Sequence, residues 1–232
     1  MNYFISFSLF TVLLFCSCGS NDSNTDSESL NSSTEIQQED DLSSSNMNNS
    51  ASADGGDRQF NPNPEKIRST GGLNYNGRVL FTKGWIDQNG DNLAIFTESG
   101  DEIYMFHYAF PNGSPILKRK VLDFVRNCEF DRTLEFVDGT IEITDLDNDN
   151  MGELSFMYKM ACRSDVSPCD LKYLTLENGE KYIIRGSEFI DYGDGQTAGG
   201  EKNIDASFKN GPTEFLNHAN RVWDKFYIFK WS

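Results

Sequence analysis

From Arg78 onward the hydrophobic positions fall into short runs: VLFTKGWI, LAIFTE, IYMFHYAF, LEFV, TIEIT, LSFMYKM, KYLTL, KYIIRG and EFIDYG. Each run is of strand length and rich in β-branched and aromatic residues. Between them stand DQNGDN, SGDE, PNGS, DG and ENGE, which punctuate a chain as turns and point to antiparallel hairpins. Asp138-Gly139 and Asn178-Gly179 are the strongest hairpin signals, because both residue pairs accept the positive φ of a tight turn. The stretch 116–127 (ILKRKVLDFVRN) fits either strand or helix and is read as strand. No repeat of fixed period is visible, which gives no support to a full propeller or a solenoid. One segment changes period. Phe215, Leu216, Ala219, Val222, Trp223 and Phe226 make a helical stripe, with Pro212 suited to the first turn. The expected fold is therefore mainly β with a C-terminal helix over about 212–225, in a single domain. Its antiparallel hairpins would form a sandwich or a partial propeller-like sheet.

The pattern stops short of the N-terminus. Residues 1–17 carry no charged side chain, and Tyr3 to Phe15 form an apolar run of 13 residues. That is shorter than the roughly 20 residues a membrane-spanning helix needs. It ends in Cys16-Ser17-Cys18-Gly19, small residues typical of a signal-peptide cleavage site. A short apolar segment followed by Ser-Cys resembles the lipobox of bacterial lipoproteins, with Cys18 as the acylated residue; an ordinary cleaved secretory signal is the alternative. Residues 18–57 hold nine acids, no base and few large apolar residues. Such a stretch cannot bury enough apolar area to offset its ordering entropy, so a disordered Ser/Asn/acidic tether is expected. The globular domain is assigned to 58–232.

Charge divides along the same boundaries. Removing those nine acids from the chain's 36 leaves 27 against all 20 bases, so the domain is net −7 while the whole chain is −16. A net-acidic chain without a basic cluster in its sequence is a poor partner for nucleic acid. Anionic lipid would repel it too, so any attachment to a membrane must come from something other than charge.

The sharpest chemical motif is Asp145-Leu-Asp147-Asn-Asp149-Asn-Met151-Gly-Glu153. Acids at loop positions 1, 3, 5 and 9, with the Met151 carbonyl at 7, are the hard oxygen ligands that Ca²⁺ takes. Position 12 is Phe156, where an EF-hand needs Glu, and the flanks alternate like strands. The loop instead resembles the shorter DxDxDGxxD calcium loops that join two strands in integrin-type β modules. Asn150 stands where those loops place Gly, and Asn tolerates the left-handed conformation. The expected affinity is of the extracellular type, roughly 10⁻⁴–10⁻³ M. Asp87-Gln-Asn89-Gly90-Asp91 has acids at similar spacing but reads as a hairpin turn.

The domain holds Cys128, Cys162 and Cys169, and an exported compartment favours disulfides. Cys128–Cys162 would tie the strand before the acidic loop to the strand after it, and Cys162–Cys169 would close a small loop. The first is favoured, leaving Cys169 free or buried. Tyr158, Arg163, Asp165 and Arg185 form a candidate binding surface near the acidic loop, with Arg163 and Asp165 alternatively a structural bridge. Nucleophile, zinc-protease and phosphate-loop signatures are absent.

The run from Gly84-Trp85 through TDLDNDNMGELSFMYKMACRSDVSP to KYIIRG resembles a family of Bacteroidota lipoproteins labelled as surface polysaccharide biosynthesis proteins. The likeness covers most of 75–230. It implies an outer-membrane or cell-surface lipoprotein required for surface polysaccharide display, periplasm-facing in the alternative, with no assigned catalytic residues. Cys128 and Cys162 fall where that family places cysteines. The expectation is thus a non-enzymatic, lipid-anchored binding or assembly factor for surface polysaccharide or its machinery, with a structural Ca²⁺ loop. The alternatives are a glycan-acting enzyme using carboxylates such as Glu142, Asp145 or Glu153, and an adhesin or inhibitor module that binds a foreign protein. If Cys18 is acylated, Cys18→Ala should move the protein from the membrane fraction to the soluble fraction; retention on the membrane refutes the anchor.

Overall fold

A computed structural model describes residues 72–231. The signal segment, Cys18 and the tether expected over 18–57 lie outside the described residues. The described part is mainly β, as the alternation of runs and turns predicts, and sandwich-like rather than propeller-like. The first sheet is an antiparallel meander of β1 (Arg78–Asp87), β2 (Gly90–Ser99), β3 (Glu102–Phe110) and β4 (Ile116–Phe124). The second contains β5 (Asp131–Phe136), β6 (Glu142–Thr144), β7 (Glu153–Arg163), β8 (Asp170–Glu177), β9 (Glu180–Ser187) and β12 (Lys202–Ile204) in the order β12-β9-β8-β7-β5, with β6 also paired to β7. A small hairpin of β10 (Phe189–Gly193) and β11 (Gln196–Gly199) precedes β12. Two helices follow, α1 (Ala206–Asn210) and α2 (Thr213–Phe226). The ambiguous stretch from 116 is indeed a strand.

Alternation sorts side chains into layers. Trp85, Ala94, Phe96, Ile103 and Met105 from the first sheet meet Leu154, Phe156, Tyr158, Leu174, Leu176 and Ile183 from the second. The opposite face of the second sheet, through Met157, Leu171, Tyr173 and Ile184, packs on Phe208 of α1 and on Phe215, Ala219, Val222 and Trp223 of α2. The other face of the first sheet carries Leu93, Ile95, Tyr104, Phe106 and Tyr108, against which Leu73 and Tyr75 pack. Residues 154–158 of β7 and 173–176 of β8 are consequently buried without interruption. A strand covered on both faces reads as a continuous apolar run, which is why LSFMY lacks a period of two.

Two expectations shift in detail. Asn178-Gly179 does close a two-residue hairpin, with Glu177 opposite Glu180. Asp138-Gly139 does not join two paired strands. β5 and β6 both pair with β7, at Phe136↔Tyr158 and Glu142↔Ser155, so 137–141 bulge out of one interrupted edge strand. The bulge is stitched down by the Val137 N–H to the Met157 carbonyl at 2.8 Å and by the Met157 N–H to Thr140 Oγ1 at 3.0 Å. In α2, Pro212 occupies the N-cap, one residue before the first turn, and His218 joins the buried stripe.

Cys128 and Cys162 form a disulfide with Cα atoms 5.5 Å apart, and Cys169 is buried and free. The bond spans 34 residues and pins the connection from β4 to β5, where the chain passes from one sheet to the other. A loop of that length is worth about 4 kcal/mol in the chain-entropy account.

His107 lies inside the sheet–sheet layer at 2% exposure, its ring 4.8 Å from that of Trp85. Asn92 donates its amide to the Gly90 carbonyl, so Asn92 Oδ1 accepts from His107 Nε2 at 3.0 Å. Nδ1 is then buried without a partner. Burial, helped by the charge of Lys118, pushes this imidazole down to about 4. A depressed imidazole stabilises the fold above the unfolded value near 6.5 and loses that contribution as pH falls towards 4. The loss should approach about 3 kcal/mol. Denaturant titrations from pH 7 to pH 4 should show the native chain losing about 3 kcal/mol relative to His107→Gln, whatever that variant's baseline, because Glu153 and Glu177, which titrate with the opposite sign, are common to both. Equal slopes would mean His107 is not the acid-sensitive group.

Candidate metal centre

The loop Asp145–Gly152 joins β6 to β7, whose last pair is Thr144↔Glu153. Its path needs left-handed residues at Asn148 (φ 60°) and Asn150 (φ 66°), the conformation in which Asn substitutes best for Gly. Two acids cap the loop's own backbone. The Asn150 N–H donates to Asp145 Oδ2 at 3.2 Å, and the Met151 N–H donates to Asp149 Oδ1 at 2.7 Å. These bonds engage one oxygen of each carboxylate, and the other oxygen of Asp145 is buried.

The β1–β2 turn braces the loop from behind. The Gln88 N–H donates to the Asn150 carbonyl at 3.1 Å and its side-chain amide to the Asp149 carbonyl at 2.9 Å. Asp87 gathers three donors: the Trp85 indole N–H at 3.0 Å, the Asn89 N–H at 2.8 Å and the Gly152 N–H at 3.1 Å. The reading of Asp87–Asp91 as a turn therefore holds, and the turn has a second role as a buttress. Gly152 is required here, since a Cβ would stand 2.4 Å from Trp85 Nε1. Met151 is held by its N–H and by its Sδ, which accepts from Asn89 at 3.5 Å.

Two sets of carboxylates converge on this end of the sandwich. Oxygens of Asp145, Asp147 and Asp149 lie within 4.8 Å of one another, as do oxygens of Asp147, Glu153 and Glu177. Asp147 belongs to both. Glu177 comes from the end of β8, 24 positions beyond Glu153, and the sequence motif did not include it. The β7–β8 register pairs Leu154 with Leu176, so Glu153 and Glu177 fall opposite one another one step further along. Two like charges placed so are destabilising in a bare sheet. The signal that could have found Glu177 is this register, which no local motif carries.

Electrostatics sharpen the point. Glu153 is fully buried; it accepts from Thr144 Oγ1 at 2.8 Å and from the Leu146 N–H at 3.0 Å, yet burial still pushes its carboxyl up to about 8. Glu177 is pushed up to about 7, first by burial and then by the charges of Asp149, Asp147 and Asp145. Asp147 is also raised, by burial and then by Asp149. Asp145 Oδ1, Asp147 Oδ1 and Glu177 Oε1 are buried with no hydrogen-bond partner. Orphan oxygens of this kind cost free energy that a bound cation would return. The acidic cluster can hold a metal ion, and its donors are all carboxylates, a hard set with no His or Cys.

The remaining candidates scatter. Arg163 closes the far end of β7 from Glu153, so the Arg163–Asp165 region is not beside the acidic loop. Arg163 does not turn to Asp165: it donates to the Ser167 carbonyl and lies 4.0 Å from Glu188, while Asp165 accepts from Ser167 at 2.7 Å. The buried carboxylate of Glu188 attracts the guanidinium more strongly than an exposed Asp does. Tyr158 and Arg185 line a separate cleft. Glu142 pairs with His218 at 3.2 Å, and fully buried Glu153 has no access to a substrate bond. No protein-family model, curated protein or solved structure matches the chain.

If the cluster holds a divalent ion, EDTA should lower the melting temperature by about 5–10 °C relative to a saturated sample. Asp147→Ala should abolish that difference, while Glu177→Gln should raise the melting point in EDTA by relieving repulsion. Identical melts with and without the ion in the native chain would remove the metal site.

Proposed function

We propose that this protein is a lipid-anchored cell-envelope factor, non-enzymatic, that serves the display or assembly of surface polysaccharide and carries a structural Ca²⁺ at one end of its sandwich. The observation that supports the calcium reading is that two carboxylate triplets, Asp145–Asp147–Asp149 and Asp147–Glu153–Glu177, share Asp147, while Asp145 Oδ1, Asp147 Oδ1 and Glu177 Oε1 are buried without a hydrogen-bond partner. Ca²⁺ accepts six to eight oxygens in irregular geometry, whereas Mg²⁺ demands an octahedron and keeps several waters. Five carboxylates from a loop and two strand ends suit the former. Asp145, Asp147, Asp149, Glu153 and Glu177 would be the ligands, and the charge of Glu177 favours tighter binding than the loop alone. When bound, the ion neutralises repulsion and locks the β6–β7 loop to the β8–β9 hairpin. It supplies rigidity, with no chemical step assigned to it.

The envelope reading is supported from two sides. The apolar N-terminal segment ending at Cys18 resembles a lipoprotein signal, and the Cys128–Cys162 disulfide belongs to an oxidising, exported compartment. The polysaccharide role comes from the resemblance of 144–168 and its flanks to the Bacteroidota lipoproteins. Deleting the gene should strip or thin the surface polysaccharide layer, measured by staining or by immune labelling of the cell surface. The intact chain should restore it, and Cys18→Ala should not. Unaltered display in the deletion strain would overturn the role.

A further inference from the structure

The basic residues of this acidic domain are unevenly placed. A cleft of about 320 Å³ opens between β4 and the β8–β9 half of the second sheet. Strand alternation sends Arg119 and Asp123 of β4 into it from one side, and Lys172, Lys181 and Arg185 from the other. Lys120 also touches the cleft, but its ammonium sits 4.9 Å from the centre of the Tyr104 ring, on the opposite face of the first sheet. The cleft thus gathers four cationic side chains and one acid, while the domain as a whole is net −7.

Only part of that charge is used internally. Asp123 accepts from Lys172 and, at 2.8 Å, from the Tyr158 hydroxyl, which orders the cleft's inner end. Arg119 donates Nε to the Gly179 carbonyl at 2.6 Å, a bond that fixes the guanidinium and leaves its terminal nitrogens for another acceptor. Arg185 is half exposed and shares Asp205 at 2.7 Å. Lys181 is exposed and forms no ion pair among the described residues. The cleft's surface is predominantly polar; Leu174 and Ile183 behind the charges are buried in the sheet–sheet core, with Val121 packed against them.

We propose that this cleft is a binding site for an acidic saccharide, a sugar ring bearing a carboxylate. The volume is at the small end of ligand sites and suits one ring. An anchored guanidinium and an unpaired ammonium suit a carboxylate on its rim, with the Arg fork giving geometry and Lys giving charge. A gathering of cationic side chains in a net-acidic domain attracts anions towards the cleft. The identity of the ligand as a saccharide rests on the polysaccharide reading above; the anion-attracting cleft rests on its own residues. Its side chains are distinct from those of the carboxylate cluster, although Arg119 reaches the turn that follows Glu177.

The test uses the full chain at constant Ca²⁺, titrated by calorimetry and by amide chemical shifts with a glucuronate oligosaccharide, a neutral glucose oligosaccharide, inorganic sulfate and an acidic peptide. Binding of the glucuronate oligomer that weakens as salt rises, with shifts at Val121, Leu174 and Ile183, is expected. Lys181→Gln, an exposed change that leaves the fold alone, should weaken it several-fold, and Arg119→Gln about tenfold or more. Absence of glucuronate binding, or binding indifferent to both substitutions, would falsify the site. Equal affinity for sulfate or for the acidic peptide overturns the saccharide assignment. A cleft that binds glucuronate in a protein whose deletion leaves polysaccharide display intact would sink the cellular role and keep the site; lost display with no glucuronate binding would do the reverse.

Discussion

A carboxylate removed from water must be protonated, hydrogen-bonded or paired with a cation, and Glu153 is removed completely. It stands at the first position of β7, the strand that pairs with β5, β6 and β8 and therefore holds the second sheet together. Everything at that end of the molecule is arranged around the problem it poses. Thr144 and the Leu146 N–H supply partial relief, but Asp147 and Glu177 add further negative charge close by. The loop does not relax outwards, because Asp87 and Gln88 of the β1–β2 turn hold its backbone and Trp85 occupies the space behind Gly152. A fold that spends this much bonding to press acids together leaves a cluster that could hold a cation.

The same brace joins the two sheets. Trp85 is at once a core residue of the sheet–sheet layer and a donor to Asp87, so hydrophobic packing and the acidic loop are mechanically one unit. On the far side the disulfide performs the corresponding task for the β4–β5 crossing. Between these fastenings the second sheet is covered on both faces, by the first sheet and by α2. The basic cleft opens where β4, an edge strand, passes over β8 and β9 with no neighbour beyond it.

Much of this was legible in the chain, and for local reasons. Turn chemistry at Asn178-Gly179 and at Asp87–Gly90 depends on a few adjacent residues, as does the α2 stripe, and all three were found where they were expected. Asp138-Gly139 has the same turn chemistry yet only bulges, because β7 offers one long edge to which both flanking segments bind. Arg163 and Asp165 are two residues apart and still do not pair, because Glu188, distant in sequence, is buried beside Arg163. Propensity proposes a bend or a pair, and the partner available in space decides its use.

The amino-acid sequence by itself determined the β character, the C-terminal helix, the acidic loop between two strands and the supply of cysteines. Each is written in neighbours a few residues apart, where periodicity and turn preference act. Tertiary structure alone decided that Glu177 joins the acidic cluster, that Asp87 is its buttress, and that Arg119, Lys172, Lys181 and Arg185 face one cleft. Those groupings depend on strand register and on how two sheets lie across each other, which set distances between residues tens of positions apart. Burial then raises the proton affinity of ordinary carboxylates, since packing takes away the water that would have stabilised their charge.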